Sequence, residues 1–148
     1  MIRQPILHLF LALALLAGGP LAAQVRIDWK TLSGVSYEYI QNLEQNFWYG
    51  KATFSEEVRQ LDGREVVITG YILPLDFGGE QYYLSAFPYS SCFFCGGAGQ
   101  ESIMELRLQR KKEKFVLDDR VTLTGTLRLN DRELELNYIL EQARLYEE

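Results

Sequence analysis

The sequence predicts a mainly β protein whose body is a small five-stranded antiparallel barrel, preceded by an aromatic N-terminal arm and one short helix. Three observations lead there. Five segments alternate apolar or β-branched residues with polar ones and end at turn residues, the pattern of half-buried strands. No long helical repeat separates them, so the strands are joined by turns and loops. Glycine recurs mid-strand in Val66-x-Ile68-x-Gly70 and Val121-x-Leu123-x-Gly125, where a strand bulges or coils as a barrel closes. A five-stranded Greek-key barrel of this kind is the oligonucleotide/oligosaccharide-binding (OB) fold. An SH3-like barrel or a small sandwich is the runner-up.

The chain opens with Arg3, an apolar run from Ile6 to Ala17, a Gly18-Gly19-Pro20 break and a small-residue end at Leu21-Ala22-Ala23. A basic start, a short apolar core and a small-residue exit are the parts of a secretory signal peptide. The run falls short of the roughly 20 apolar residues a membrane-spanning helix needs. The expectation is therefore export to the periplasm or beyond, with no membrane span after cleavage. Cutting after Ala23 leaves 125 of the 148 residues, enough for one domain with a real core. The expected organisation is a signal peptide over 1–23, an arm with a short helix over 24–62, and the barrel over 63–148.

The arm carries Trp29, Leu32, Tyr37, Tyr39, Phe47 and Trp48 without a clean period of 2 or 3.6. This predicts an irregular segment, with a short helix near Tyr39 to Gln45, fastened across the barrel by its rings. The alternative is an exposed aromatic binding surface. Ser55 before Glu56 and Glu57 is a helix N-cap with acidic residues at the positive helix end. Phe54, Val58 and Leu61 follow at helical spacing, and Asp62-Gly63 stops the helix. The predicted strands are Glu65 to Leu73, Gln81 to Phe87, Ser102 to Leu108, Arg120 to Leu129 and Glu133 to Leu145.

Charge and composition exclude several functions. The signal peptide holds Arg3 and the only histidine, His8, so the remainder carries one cation fewer than the chain's 15 against 20 Asp and Glu, a net charge of −6. A mature chain without histidine cannot use Ser-His-Asp or Cys-His catalysis, imidazole zinc ligands or ordinary haem ligation. The acidic balance also argues against nucleic acid, whose affinity needs clustered Lys and Arg.

The most unusual stretch is Cys92-Phe93-Phe94-Cys95-Gly96-Gly97, between the second and third strands, and its two cysteines are the chain's whole complement. A disulfide suits the oxidising compartment. Alternatively, the thiolate pair is half of a four-ligand site for Zn or Cu, with Glu101 and Asp76 as auxiliary ligands. Glu80 and Glu105 are further carboxylates near the loop. Thiol–disulfide exchange is the third reading, although Gly96-Gly97 does not open the helix that thioredoxin-type motifs use. Phe93, Phe94, Gly96 and Gly97 are the expected loop for a ligand or partner; alternatively the cysteines only staple the loop, with Phe93 and Phe94 capping the barrel end and the glycines as turn formers. Covalent haem would need histidine where Gly96 stands.

Trp29 with Leu32, Leu61-Asp62-Gly63-x-x-Val66-x-Ile68-x-Gly70-Tyr71-x-Leu73-Pro74-Leu75, Cys92-Phe93-Phe94-Cys95-Gly96 and Val121-x-Leu123-x-Gly125 together resemble the domain of unknown function 3299 (DUF3299) family of exported bacterial proteins. The resemblance spans most of the mature chain. It implies secretion or a periplasmic location, an association with transporter components of metal supply, and no catalytic residues to carry over. The expected function is a non-enzymatic binding or accessory protein that takes a protein partner or a small ligand through the Cys92–Cys95 loop. The alternative is a thiol–disulfide redox protein using the same cysteines. Mass analysis of the exported protein should find Gln24, free or cyclised, at its N-terminus; a secreted form that begins at Met1 would overturn the expected export route.

Overall fold

A computed structural model describes residues 24–75, 81–110, 114–132 and 134–147. The expected signal peptide and Asp76 lie outside the described residues. Strand β1 (Val25–Arg26) leads into helix α1 (Trp29–Leu32), strands β2 (Val35–Asn42) and β3 (Phe47–Phe54) and helix α2 (Glu56–Arg59). Strands β4 (Glu65–Pro74), β5 (Tyr82–Ser85), β6 (Ile103–Leu108), β7 (Arg120–Leu129) and β8 (Tyr138–Leu145) follow.

These last five strands close a barrel in the order β4-β5-β6-β8-β7, with β7 returning to β4. Four of the pairings are antiparallel, but β6 and β8 run parallel, Glu105 facing Ile139 and Leu106 facing Leu140. The barrel is therefore mixed, not purely antiparallel as alternation within the strands suggested. Alternation decides which face of a strand is buried and is silent on the direction of its neighbour. The β7–β8 hairpin brings β8 back beside β6 in the same direction.

Ile68, Ile72, Leu84, Met104, Leu123 and Leu140 fill the interior, each essentially without solvent contact. The two mid-strand glycines mark where the sheet changes course. The first part of β4 pairs with β7 and its last part with β5, the exchange falling at Tyr71. A side chain at Gly70 would come within 2.7 Å of the Ser85 carbonyl oxygen and 2.8 Å of Leu84. At Gly125 the β7–β8 register slips beside Gln142, whose φ is +54°. A side chain there would meet the Glu141 carbonyl oxygen at 2.6 Å.

The expected helix after Ser55 is present, its side chain accepting from the Val58 amide at 3.3 Å. A second, unforeseen helix begins at Asp28, which accepts from the Thr31 amide at 2.8 Å and the Thr31 hydroxyl at 2.9 Å. Those bonds hold the Asp28 carboxyl below its usual pKa, the amide bond contributing most. The arm departs further from expectation between residues 35 and 54. The short helix near Tyr39 to Gln45 is absent; Val35–Asn42 and Phe47–Phe54 pair over eight residues each as an antiparallel hairpin. Its turn passes through Asn46 at φ +54°, a conformation asparagine tolerates better than most residues. The last strand also begins late, at Tyr138 instead of Glu133, and Leu134 lies exposed in the preceding loop with φ +63°.

Replacing Gly70 or Gly125 by valine should each lower unfolding stability by about 1–3 kcal/mol or more, since the new atoms meet carbonyl oxygens that only a backbone shift can move. Urea denaturation checks this, and wild-type midpoints in both variants would contradict the close approaches described.

Candidate functional site

The loop between β5 and β6 is built by short-range hydrogen bonds. Tyr89–Ser91 and Phe93–Cys95 each form a single 3-10 turn. The Tyr89 amide donates to the Asp118 carboxylate at 2.7 Å, which pins the start of the loop to the connection before β7. The Gly96 amide donates to the Phe93 carbonyl at 2.9 Å and the Gly97 amide to the Cys92 carbonyl at 3.1 Å. Gly96 sits at φ +71°, which a residue with a side chain adopts at a penalty. At Gly97 a side chain would lie 2.7 Å from the Ser91 carbonyl oxygen. Both glycines thus fold the loop back on itself, and their amide protons are already used inside it.

Cys92 and Cys95 are free thiols in this turn, Cys92 buried and Cys95 exposed. Cys92 packs with Leu73 and Ile103 in a small apolar cluster that Phe93, Tyr83 and Leu136 extend. Desolvation first, and then the Cys92 sulfur beside it, raise the Cys95 thiol above its ordinary pKa against an opposing hydrogen bond to Tyr89. This is the reverse of a reactive dithiol, where a helix N-terminus or a cation lowers the pKa.

A resident metal finds little support in this donor set. Among the described residues no three His, Cys, Asp or Glu side chains converge, whereas thiolate metal sites generally close with four ligands. Glu101 is partly buried, and its charge acts on Tyr37 and Tyr138, at the seam between arm and barrel. With burial as the main cause, it raises the pKa of both phenols. Asp76 is outside the described residues.

The Phe93 and Phe94 rings do meet a larger feature. Phe94 stacks edge-on against Tyr83 of β5, 5.3 Å between centroids, and its centroid is 5.4 Å from that of Phe93. These rings form one wall of an open groove of about 720 Å³. The floor is the outer face of β5 and β6, with Tyr83, Glu105 and Arg107. The hairpin supplies the opposite wall through Tyr39 and Trp48, which are 74% and 64% exposed. The β7–β8 loop closes one end with Arg132, Leu134 and Glu135. Ion pairs run along it: Arg107 to Glu105 at 2.9 Å and to Glu141 at 3.5 Å, and Arg132 to Glu135 at 3.8 Å. The sequence singled out Phe93 and Phe94 and left an exposed aromatic surface open for the arm. It missed the part played by Tyr83, Arg107 and Arg132, for which only the outward parity of Arg107 on its strand was a signal.

The mixed five-stranded barrel, with the groove over its second and third strands, has the strand order of an OB-type fold. A crystal structure of a DUF3299 family protein from Pseudomonas aeruginosa is similar, with a TM-score of 0.50 and 18% sequence identity over 85% of this chain and 98% of that one. That likeness is one of fold, and it supports the family resemblance carried by the sequence motifs. No family model matches the chain, and no curated protein matches it in sequence.

Because its pKa is raised, the Cys95 thiol should be alkylated by iodoacetamide more slowly at pH 7 than a free cysteine, and the rate should climb with pH as thiolate forms. Fast alkylation at neutral pH would instead mark an activated thiol. The double variant Cys92→Ala/Cys95→Ala should stay folded in urea titrations, losing under about 2 kcal/mol, as for a small truncation in a packed cluster.

Proposed function

We propose that this chain is an exported, non-enzymatic binding protein whose ligand lies in the groove between the hairpin and the β5–β6 face, with the Cys92–Cys95 loop as a wall. The observation that carries this reading is the position of the exposed aromatic residues. Tyr39, Trp48 and Phe94 stand around one concavity on the strand face that OB barrels use for ligands. Exposed rings gathered on a groove mark an interaction site more often than scattered ones do. The volume of about 720 Å³ falls within the range of ligand sites, roughly 300–1,000 Å³. Cys92 serves the loop as a buried anchor, so that Phe93 and Phe94 are held toward the groove. The raised pKa of Cys95 favours this role over thiol exchange.

The reading excludes a strand of nucleic acid. Every arginine named in the groove has a carboxylate partner, and phosphates would meet Glu105 and Glu135 as well. Tryptophan fluorescence reports on the site, because Trp48 is one of the two tryptophans. Titration with uncharged oligosaccharides, a proline-rich peptide and oligothymidine should give a saturable change with one of the uncharged classes. Phe94→Ala should weaken that binding by about tenfold, the value of one lost ring contact. No change with any probe, binding indifferent to Phe94→Ala, or tight salt-sensitive binding of oligothymidine would overturn the proposal.

A further inference from the structure

The chemistry along the groove narrows its ligand, and the argument rests on the proposed binding role. Three classes of chain can stack on aromatic rings: nucleic acids, proline-rich peptides and oligosaccharides. They differ in what their polar groups demand. Phosphates only accept hydrogen bonds and carry charge. A proline-rich backbone offers carbonyl acceptors and few N–H donors. A sugar ring presents hydroxyl groups that donate and accept together on its edges, and apolar C–H surfaces on its faces.

The groove offers donors and acceptors in adjacent pairs. Arg107 stands beside Glu105 at 2.9 Å, and Arg132 beside Glu135 at 3.8 Å. A guanidinium only donates and a carboxylate only accepts, so each pair can serve a donating and an accepting hydroxyl side by side. A ligand with acceptors alone would bring no donor to Glu105 or Glu135, which accept from Arg107 and Asn130, and would set its own acceptors against those carboxylates while competing for the arginines. The same groove is lined by the rings of Trp48 and Tyr39 from the hairpin and of Tyr83 and Phe94 from β5 and the following loop. The paired charges cancel locally, so the groove selects a neutral ligand. We infer that it binds an uncharged oligosaccharide, with its ring faces on the aromatic side chains and its hydroxyl edges on the Arg107–Glu105 and Arg132–Glu135 pairs.

The test uses the mature protein on an array of uncharged glycans, followed by titration of the best binder and of a proline-rich peptide by fluorescence. The expected result is glycan binding that changes less than about twofold between 0.05 and 0.5 M NaCl, since no ion pair with the ligand is screened. Trp48→Ala should weaken it by about tenfold, as one stacking contact is lost. Glu105→Gln, which keeps the shape and removes half of the acceptor capacity, should weaken it severalfold with the Trp48 contact intact. Circular dichroism confirms that both variants remain folded. Glycan binding unaffected by either substitution would overturn the inference by placing the sugar elsewhere. Binding of the peptide but of no glycan, lost on Phe94→Ala, would overturn the sugar assignment while leaving the groove as a binding site. An array and a peptide that both stay silent would overturn the two readings together.

Discussion

Two successive residues where the chain enters β8 hold the arm against the barrel, and so support the hairpin wall of the groove. Tyr138 is fully buried and donates its hydroxyl to the Leu32 carbonyl at 2.6 Å, across 106 residues of chain. Its ring lies 5.8 Å from that of Phe54 at the foot of the hairpin. Next to it, the buried Asn137 accepts from the Tyr37 hydroxyl at 3.1 Å and donates to the Asn130 carbonyl at 3.0 Å. One strand end thus fixes the C-terminus of α1, the base of the hairpin and the loop before β8. Loss of either hydroxyl would leave a buried carbonyl or amide oxygen short of a donor, which is more damaging than the bond itself is favourable. The long reach of these contacts is what turns an N-terminal extension into a wall of a site.

Beyond that base the hairpin is a two-stranded ribbon, a form with little stability of its own in water. Ala52 is its one buried residue among the eight of β3, and Trp48 and Tyr39 remain largely exposed. Most of the apolar area a ring can bury is therefore still available at this wall, at about 25 cal/mol per Å². The facing wall is different in kind. Phe93 and Phe94 sit on a turn closed by the Cys95, Gly96 and Gly97 amides, above Cys92, Leu73 and Ile103. A ligand at the second wall would gain contact alone, because the order of that wall is already established by folding. At the first wall, contact with a ligand would also extend the packing of the hairpin.

The strands of the barrel were legible in the sequence because each has one face in the core, so alternation and turn residues locate them. Gly70 and Gly125 were legible for a related reason: a residue without a side chain, mid-strand, is costly unless another part of the chain approaches. The hairpin was not. Its pairing puts Tyr39 and Trp48 on one face, and Phe47 and Tyr49 on the other. With rings on both faces the apolar period of two disappears. The parallel pairing of β6 with β8 was hidden as well, since it depends on the order in which strands meet and not on the residues of either. Of the site, the Cys92–Cys95 loop stood out by composition, but its role did not. A C-x-x-C pair suggests thiol or metal chemistry; composition does not reveal that Cys92 packs against Leu73 and Ile103 while Cys95 is exposed.

The split between the two cysteines also explains why the loop can be both anchored and open. A larger apolar residue at position 92 would overfill a cluster closed by Leu73 and Ile103, while a polar one would bury an unmatched group. Cysteine is small, apolar enough to bury and tolerant of a weak sulfur contact. The chain then leaves the core through a single 3-10 turn, with Phe93 half-buried against the cluster and Phe94 exposed. A full α-helical turn would need more length; the short turn closes with the Cys95 amide on the Cys92 carbonyl and the Gly96 amide on the Phe93 carbonyl, and ends at Gly96 in the left-handed region. The tight turn, without the helix that follows in thioredoxin-type motifs, is the geometry that brings Phe93 and Phe94 to the groove.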